Sequence, residues 1–185
     1  MGLISRDLIG TLTLLSLFIT QIITPPNYKS MDDEMRSYVK EAAEFLGWRE
    51  KDFASHVQVT GSWANQSFFS NGRSAFYIIT FDETFSRTQP KHIRKSIAGH
   101  EVGHAYIACE DAYVAYYYGY GTYLEVENCA DVLSALIFGF DGMYAALKTI
   151  KKDTPDARDI DLRIELLYDQ FGSLGVEKDL TQHPE

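Results

Sequence analysis

The sequence predicts a mainly helical α+β fold with a small antiparallel or mixed sheet, in which a helix bearing two histidines packs on a second helix bearing carboxylates. Three observations predict it. From Lys91 to Ala108 and from Leu124 to Gly139, apolar residues recur at steps of three and four, the period of a buried helix face. Between His56 and Phe81 the pattern changes to alternation around Asn71-Gly72, a strong hairpin turn signal. Finally, 185 residues that are 45% hydrophobic supply enough apolar material for one domain with a true core, taken here as residues 27–171.

Residues 1–26 form an apolar N-terminal segment. From Leu8 to Thr24 the chain runs 17 residues without a charge, the lower limit for a membrane span, and its threonines and Gln21 weaken that reading. Three readings stay open. Residues 8–24 are a membrane anchor, or a cleaved signal peptide, for which no small-x-small site precedes Pro25, or an apolar helix packed on the domain. The first two imply a membrane-associated or exported protein; the third is compatible with the cytoplasm. Arg6 and Lys29 flank the run almost symmetrically and set no orientation.

Ser30 is expected to cap the first soluble helix, with Asp32, Asp33 and Glu34 in its first turn, where the helix dipole favours them. Met35, Tyr38, Val39, Ala42 and Leu46 mark its buried face, and Gly47 its stop. His56 to Thr60 alternates as a half-buried strand, and Ser62–Phe69 and Ser74–Phe81 read as the arms of the hairpin. An edge strand beside the metal helix would bind an extended peptide by main-chain hydrogen bonds; a plain structural hairpin is the equal alternative.

The chemistry lies in Gly99 to Ile107. His100, Glu101 and His104 form H-E-x-x-H, and on a helix the two imidazoles, four apart, project from one face toward a single metal ion. Two of only 5 histidines flanking a glutamate at ligand spacing is poorly explained by chance packing. Neutral imidazole suits zinc, one ion per chain, and Glu101 is placed as general base for a metal-activated water. Gly99 and Gly103 each cost a helix interior about 1 kcal/mol relative to alanine, which implies close packing of another element.

Ala112 to Tyr123 holds six of the 12 tyrosines and reads as a loop or second short helix, Gly119 and Gly121 allowing unusual backbone angles. Tyr123 is a candidate oxyanion donor, although tyrosines more often serve amphipathic packing. On the following helix Glu127 and Asp131 lie four apart. Glu127 is the expected third ligand, and Asp131 accepts the outward N–H of a ligand histidine; Glu125 is the rival ligand. Cys109 and Cys129 are either a disulfide or two buried thiols, and the lack of C-x-x-C spacing argues against a zinc–thiolate site. Thr154-Pro155-Asp156 reads as a helix start, with Ile160, Ile164, Leu167 and Phe171 lining the buried face. Arg163 falls off that stripe, free to reach substrate or to pair with Asp159. Residues 172–185 are a polar tail.

His-Glu-Val-Gly-His followed by Glu127-Asn-Cys-Ala-Asp131 resembles the gluzincin metallopeptidases of the HtpX and CAAX-processing protease type. Trp63-Ala64-Asn65-Gln66, the strand-like Ala75–Phe81 and Arg163 in its Asp161–Leu167 context extend the likeness over roughly residues 55 to 170. The resemblance implies a zincin-like fold, zinc on His100, His104 and Glu127, Glu101 as catalytic base, Asp131 behind the ligands, and a protein or peptide substrate. Two features depart from it: no His-Pro precedes Arg163, and the several membrane helices of the large members are missing. The segment Ile97 to Ala105 also resembles the zinc helix of AAA-type membrane proteases, which take a later aspartate as ligand; the Glu127 motif argues against that type. The expected function is thus zinc-dependent endopeptidase hydrolysis, and the alternative is a catalytically inactive zinc-binding pseudo-peptidase acting as a membrane-associated interaction protein. A net charge of −9 repels phosphates and excludes nucleic acid as partner.

Overall fold

The computed structural model of the chain describes residues 26–49, 52–58, 63–70, 75–153 and 158–172. The N-terminal apolar run, the Asn71-Gly72 turn, the Thr154-Pro155-Asp156 helix start and residues 173–185 lie outside them. The chain divides into two compact units, with the boundary between Gln89 and Pro90. The described part is mainly helical with a small sheet.

The first unit opens with α1 (Pro26–Phe45), which starts four residues before the expected cap at Ser30. Pro26 explains the earlier start: its fixed φ and missing N–H suit a first helical turn. The acidic triplet consequently sits beyond the first turn, where the Asp32 carboxylate accepts a hydrogen bond of 2.7 Å from the Val57 backbone N–H and so ties the helix to the sheet. Met35, Tyr38, Val39 and Ala42 are buried as the periodicity requires. Gly47 ends the helix at φ +79°, with Trp48 N–H donating to the Ala43 carbonyl at 2.8 Å, a left-handed stop that glycine adopts without strain.

The sheet has three strands, β1 (Phe53–Gln58), β2 (Ala64–Ser70) and β3 (Ala75–Asp82), in the order β1-β3-β2. Strands β2 and β3 pair antiparallel, with Phe69 opposite Phe76, while β1 joins β3 in parallel, with Val57 opposite Phe81. The central strand buries Ile79 and Phe81 completely. Asp82 then caps a short helix, α2 (Glu83–Thr88), by accepting from the Phe85 N–H at 3.1 Å.

The second unit is helical among its described residues: α3 (Lys91–Gly103), α4 (Ile107–Tyr117), α5 (Tyr123–Phe138), α6 (Phe140–Asp153) and α7 (Arg158–Gly172). The expected helix from Lys91 to Ala108 is two. It stops at Gly103, because Ala105 and Tyr106 turn their N–H groups back to Val102 and Gly103, and Tyr106 is extended at the start of α4. The tyrosine-rich stretch is therefore a helix ending in a turn at Gly119, φ +79°. Gly139, φ +98°, separates α5 from a helix that hydropathy alone does not announce, α6, whose Phe140 and Tyr144 rings pack with Tyr168 and Phe171 of α7.

The close crossing of α3 and α5 positions the site. A Cβ on Gly103 would lie 3.2 Å from the Ala130 Cα, and one on Gly99 would lie 2.9 Å from the Phe138 ring, so the two glycines expected to receive a neighbour do receive one. Ser134 Oγ donates 2.6 Å to the Ser96 carbonyl across the same crossing. Cys109 and Cys129 form a disulfide, with Cα atoms 5.5 Å apart, which links α4 to α5.

Candidate metal centre

The C-terminal half of α3 is buried on every side from Ser96 to Gly103, so His100 and Glu101 enter the interior as part of a packed helix. His104 is the residue just beyond it and keeps helical angles, φ −59° and ψ −24°, with its N–H on the His100 carbonyl at 3.3 Å. The break after Gly103 thus leaves the histidine pair at helical spacing. Across the crossing, α5 presents Glu127 and Asp131 on one face.

His100, His104 and Glu127 converge, each offering one ligand atom, all within 4.8 Å of one another. The His100 and His104 Nε2 atoms are 3.1 Å apart, His100 Nε2 is 3.4 Å from Glu127 Oε2, and His104 Nε2 is 3.7 Å from Glu127 Oε1. A tetrahedral ion with ligands near 2.0–2.1 Å requires ligand atoms about 3.3 Å apart. The three edges fit that requirement.

Tautomer chemistry points the same way. His100 Nδ1 lies 2.8 Å from Asp131 Oδ1, so Nδ1 carries the proton and Nε2 turns its lone pair toward the other two ligands. Two imidazoles and one carboxylate are a borderline donor set that suits zinc and is too nitrogen-rich for calcium or magnesium. These buried groups can therefore hold a metal ion.

Behind the ligands, Arg163 of α7 grips both carboxylates of α5. Its Nε and Nη2 donate to Asp131 Oδ2 and Oδ1, each at 2.7 Å, and Nη1 is 3.0 Å from Glu127 Oε2. Arg163 is 8% exposed, so the expectation that it lies off the buried face, reaching substrate or pairing with Asp159, is corrected: its guanidinium is spent on Asp131 and Glu127. Asp159 sits one helical turn earlier and is an equally good partner on paper. Only the packing of α7 on α5 decides between them.

The charges respond to this enclosure. Burial alone would lower the His100 pKa, but the bonds to Asp131 and then Glu127 outweigh it and raise the imidazole to about 10 in the metal-free site. Burial, then the His100 charge, pushes His104 down to about 4. Burial would raise Glu127, yet His100 and Arg163 hold it well below the usual carboxylate range, and Arg163 and His100 do the same for buried Asp131. Glu101, 7% exposed, is raised to about 7, chiefly by burial and against the pull of His100.

Glu125 is removed as a rival ligand by a local interaction. Its Oε2 accepts from the Thr122 N–H at 2.6 Å while its own N–H donates 3.2 Å to Thr122 Oγ1, a capping box that opens α5. Tyr123, first residue of that helix, stands at the rim with its hydroxyl set against Glu127. Burial, then the Glu127 charge and a hydrogen bond to it, holds the phenol above its ordinary pKa.

A concavity of about 570 Å³ in the first unit, lined by Arg36, Arg49 and Phe53 among others, holds none of these groups. No protein-family model matches the chain, and neither a curated protein nor a solved structure matches it.

Proposed function

We propose that the chain is a zinc-dependent peptidase of gluzincin type with a zincin-like arrangement of α3 and α5. The observation that carries the reading is the three-cornered convergence of His100, His104 and Glu127, at 3.1, 3.4 and 3.7 Å, with Glu101 buried beside it. A zinc ion held there supplies Lewis-acid polarisation of a carbonyl and acidifies a water molecule. The remaining chemistry belongs to the chain's own residues. Among the described residues no hydrogen bond engages the Glu101 carboxylate, which leaves it available to take a proton from the attacking water and return it to the leaving amine. Asp131 holds His100 in one tautomer, and Arg163 keeps Asp131 and Glu127 ionised and oriented. Tyr123, at the rim, is the candidate donor to the developing oxyanion of the substrate.

The Cys109–Cys129 disulfide supports an oxidising compartment, consistent with an exported or membrane-associated protein. Among the described residues, no helix is long and apolar enough to cross a membrane.

The test combines zinc analysis with cleavage of casein and a peptide library. Wild type should hold one zinc per chain, Glu127→Ala should lose most of it, and Glu101→Gln should keep zinc and lose cleavage. Tightly held zinc with no cleavage by wild type would favour the binding-protein alternative, and absence of zinc affinity would sink both.

A further inference from the structure

The helix beside the metal motif presents its aromatic rings to solvent. Along α4 and the turn after it, Tyr113, Val114, Tyr116, Tyr117, Tyr118 and Tyr120 are all exposed, Tyr117 at 73% and Tyr120 at 88%. Single exposed apolar residues are ordinary, but six within eight positions form a contiguous patch of the kind that marks a binding surface. Tyrosine is well suited to such a surface, since it offers a large rigid ring at low entropic cost with a polar tip that tolerates water.

Charge narrows the partner. Between Lys95 and Lys148 the sequence has no lysine or arginine, yet it carries Glu101, Glu110, Asp111, Glu125, Glu127, Asp131 and Asp141. Asp111 and Glu125 are exposed at the tyrosine patch and at the turn that leaves it. An aromatic face with exposed carboxylates at Asp111 and Glu125, on a stretch that contributes no lysine or arginine, attracts cations through ring quadrupoles and carboxylates together.

Continuity with the site supplies the remaining constraint. The Tyr116 ring lies 5.8 Å from that of Tyr123, which opens the helix carrying Glu127 and interacts with that carboxylate, so the aromatic surface runs to the candidate centre. A groove of about 300 Å³ lies along α5, lined by Tyr106, Glu125, Val132 and Leu133 among others. An apolar groove with one carboxylate fits a lysine or arginine side chain, whose methylene stem lies along the floor with the charged head at the acid.

We infer that the tyrosine face of α4 and the groove along α5 dock an extended polypeptide rich in lysine or arginine, and that this is the substrate class of the metal centre. The inference rests on the peptidase reading for its last clause only; docking itself does not require cleavage. An anionic lipid surface would meet the exposed carboxylates of Asp111 and Glu125 at this face and is disfavoured on charge.

The experiment uses the full chain carrying Glu101→Gln and loaded with zinc, and follows fluorescence anisotropy of labelled twelve-residue peptides of equal apolar content that are basic, neutral or acidic. The basic peptide should bind about tenfold or more tighter than the acidic one, and binding should weaken with salt. Tyr117→Ser combined with Tyr120→Ser should weaken the basic peptide by roughly tenfold, with zinc content and thermal unfolding unchanged. Equal binding of the three peptides, or no effect of the tyrosine changes, would overturn the inference. So would binding of phosphatidylcholine or phosphatidylserine vesicles through Tyr117 and Tyr120, which would assign the face to lipid. If wild type cleaves peptides with KM unaltered by the tyrosine changes, the docking surface falls while the peptidase reading stands. If wild type cleaves nothing but the basic peptide binds through these tyrosines, the reverse holds.

Discussion

Arg163 bears on the candidate metal centre without being one of its ligands, through its contacts with Asp131 and Glu127. Removing its charge leaves the buried carboxylates of Glu127 and Asp131, 8% and 0% exposed, with the His100 imidazole as their remaining cationic partner. Arg163→Met should therefore weaken zinc binding by roughly 10- to 100-fold, read by competition with a chromophoric chelator, and Arg163→Lys should rescue only part, since an ammonium cannot bridge two carboxylates in a planar fork. Unchanged affinity in Arg163→Met would mean that the ion pairs are ornamental. Protons compete for the same site. With His100 raised to about 10 and His104 lowered to about 4, a metal entering at neutral pH displaces one proton, from His100. Apparent zinc affinity should then rise about tenfold per pH unit between pH 6 and 9. In the metal-free protein the sign is opposite: because the folded His100 pKa lies above the unfolded value, its stabilisation is full below about pH 6.5 and is lost as pH climbs toward 10. A flat zinc affinity across this window would place the proton elsewhere.

At the scale of elements, the α3–α5 crossing brings two halves of a site together, and glycine is what lets them meet. Gly103 faces the Ala130 backbone at 3.2 Å, which cannot rotate away, whereas Gly99 faces the Phe138 ring, which can. Alanine favours a helix by up to about 1 kcal/mol over glycine, but overpacking against a rigid neighbour costs about 1–3 kcal/mol. Gly103→Ala should thus lower both stability and zinc affinity, while Gly99→Ala stays near neutral in denaturant titrations; the opposite order would show that the crossing can relax. This packing was legible in advance, because two glycines inside a helical period weaken the helix for no gain unless a neighbour occupies the space they leave. The end of α3 at Gly103 was not, since Lys91 to Ala108 keeps a helical pattern and the turn at Ala105 is set by the direction α4 must take. Helix α6 went unannounced because the apolar run of α5 flows into Phe140 without a polar break, and Gly139 is its only punctuation.

For the whole molecule, the two units divide the labour. Every group of the candidate centre, from His100 to Arg163, lies in the second unit, and the mixed sheet belongs to the first. Zinc bound as proposed, to the folded second unit and not to the unfolded chain, should at a hundred times its Kd stabilise that unit by about 2.7 kcal/mol. Chelation should lower the transition of that unit by on the order of 10 °C, a sensible figure for about a hundred residues. A melting profile indifferent to chelator, with zinc demonstrably bound beforehand, would mean that the ion sits on a surface rather than at this centre.

What the sequence by itself determined is the local part of the chemistry. Histidines four apart must share a helix face, so His100 and His104 could be named from spacing, and Glu127 with Asp131 as a carboxylate pair that left Glu125 as a rival ligand, as could Gly47 as a helix stop and the alternating strands on either side of Asn71-Gly72. Spacing carries this information because helix and strand geometry is repetitive and acts over a few residues. Only the tertiary structure decided that Glu125 caps its own helix while Glu127 turns inward, that Arg163 spends its charge on Asp131 and Glu127 instead of on Asp159, and that Cys109 and Cys129 meet. Each of those outcomes depends on how one helix lies across another, and the partners, more than thirty residues apart in the case of Arg163 and Asp131, are chosen by packing that no local pattern records.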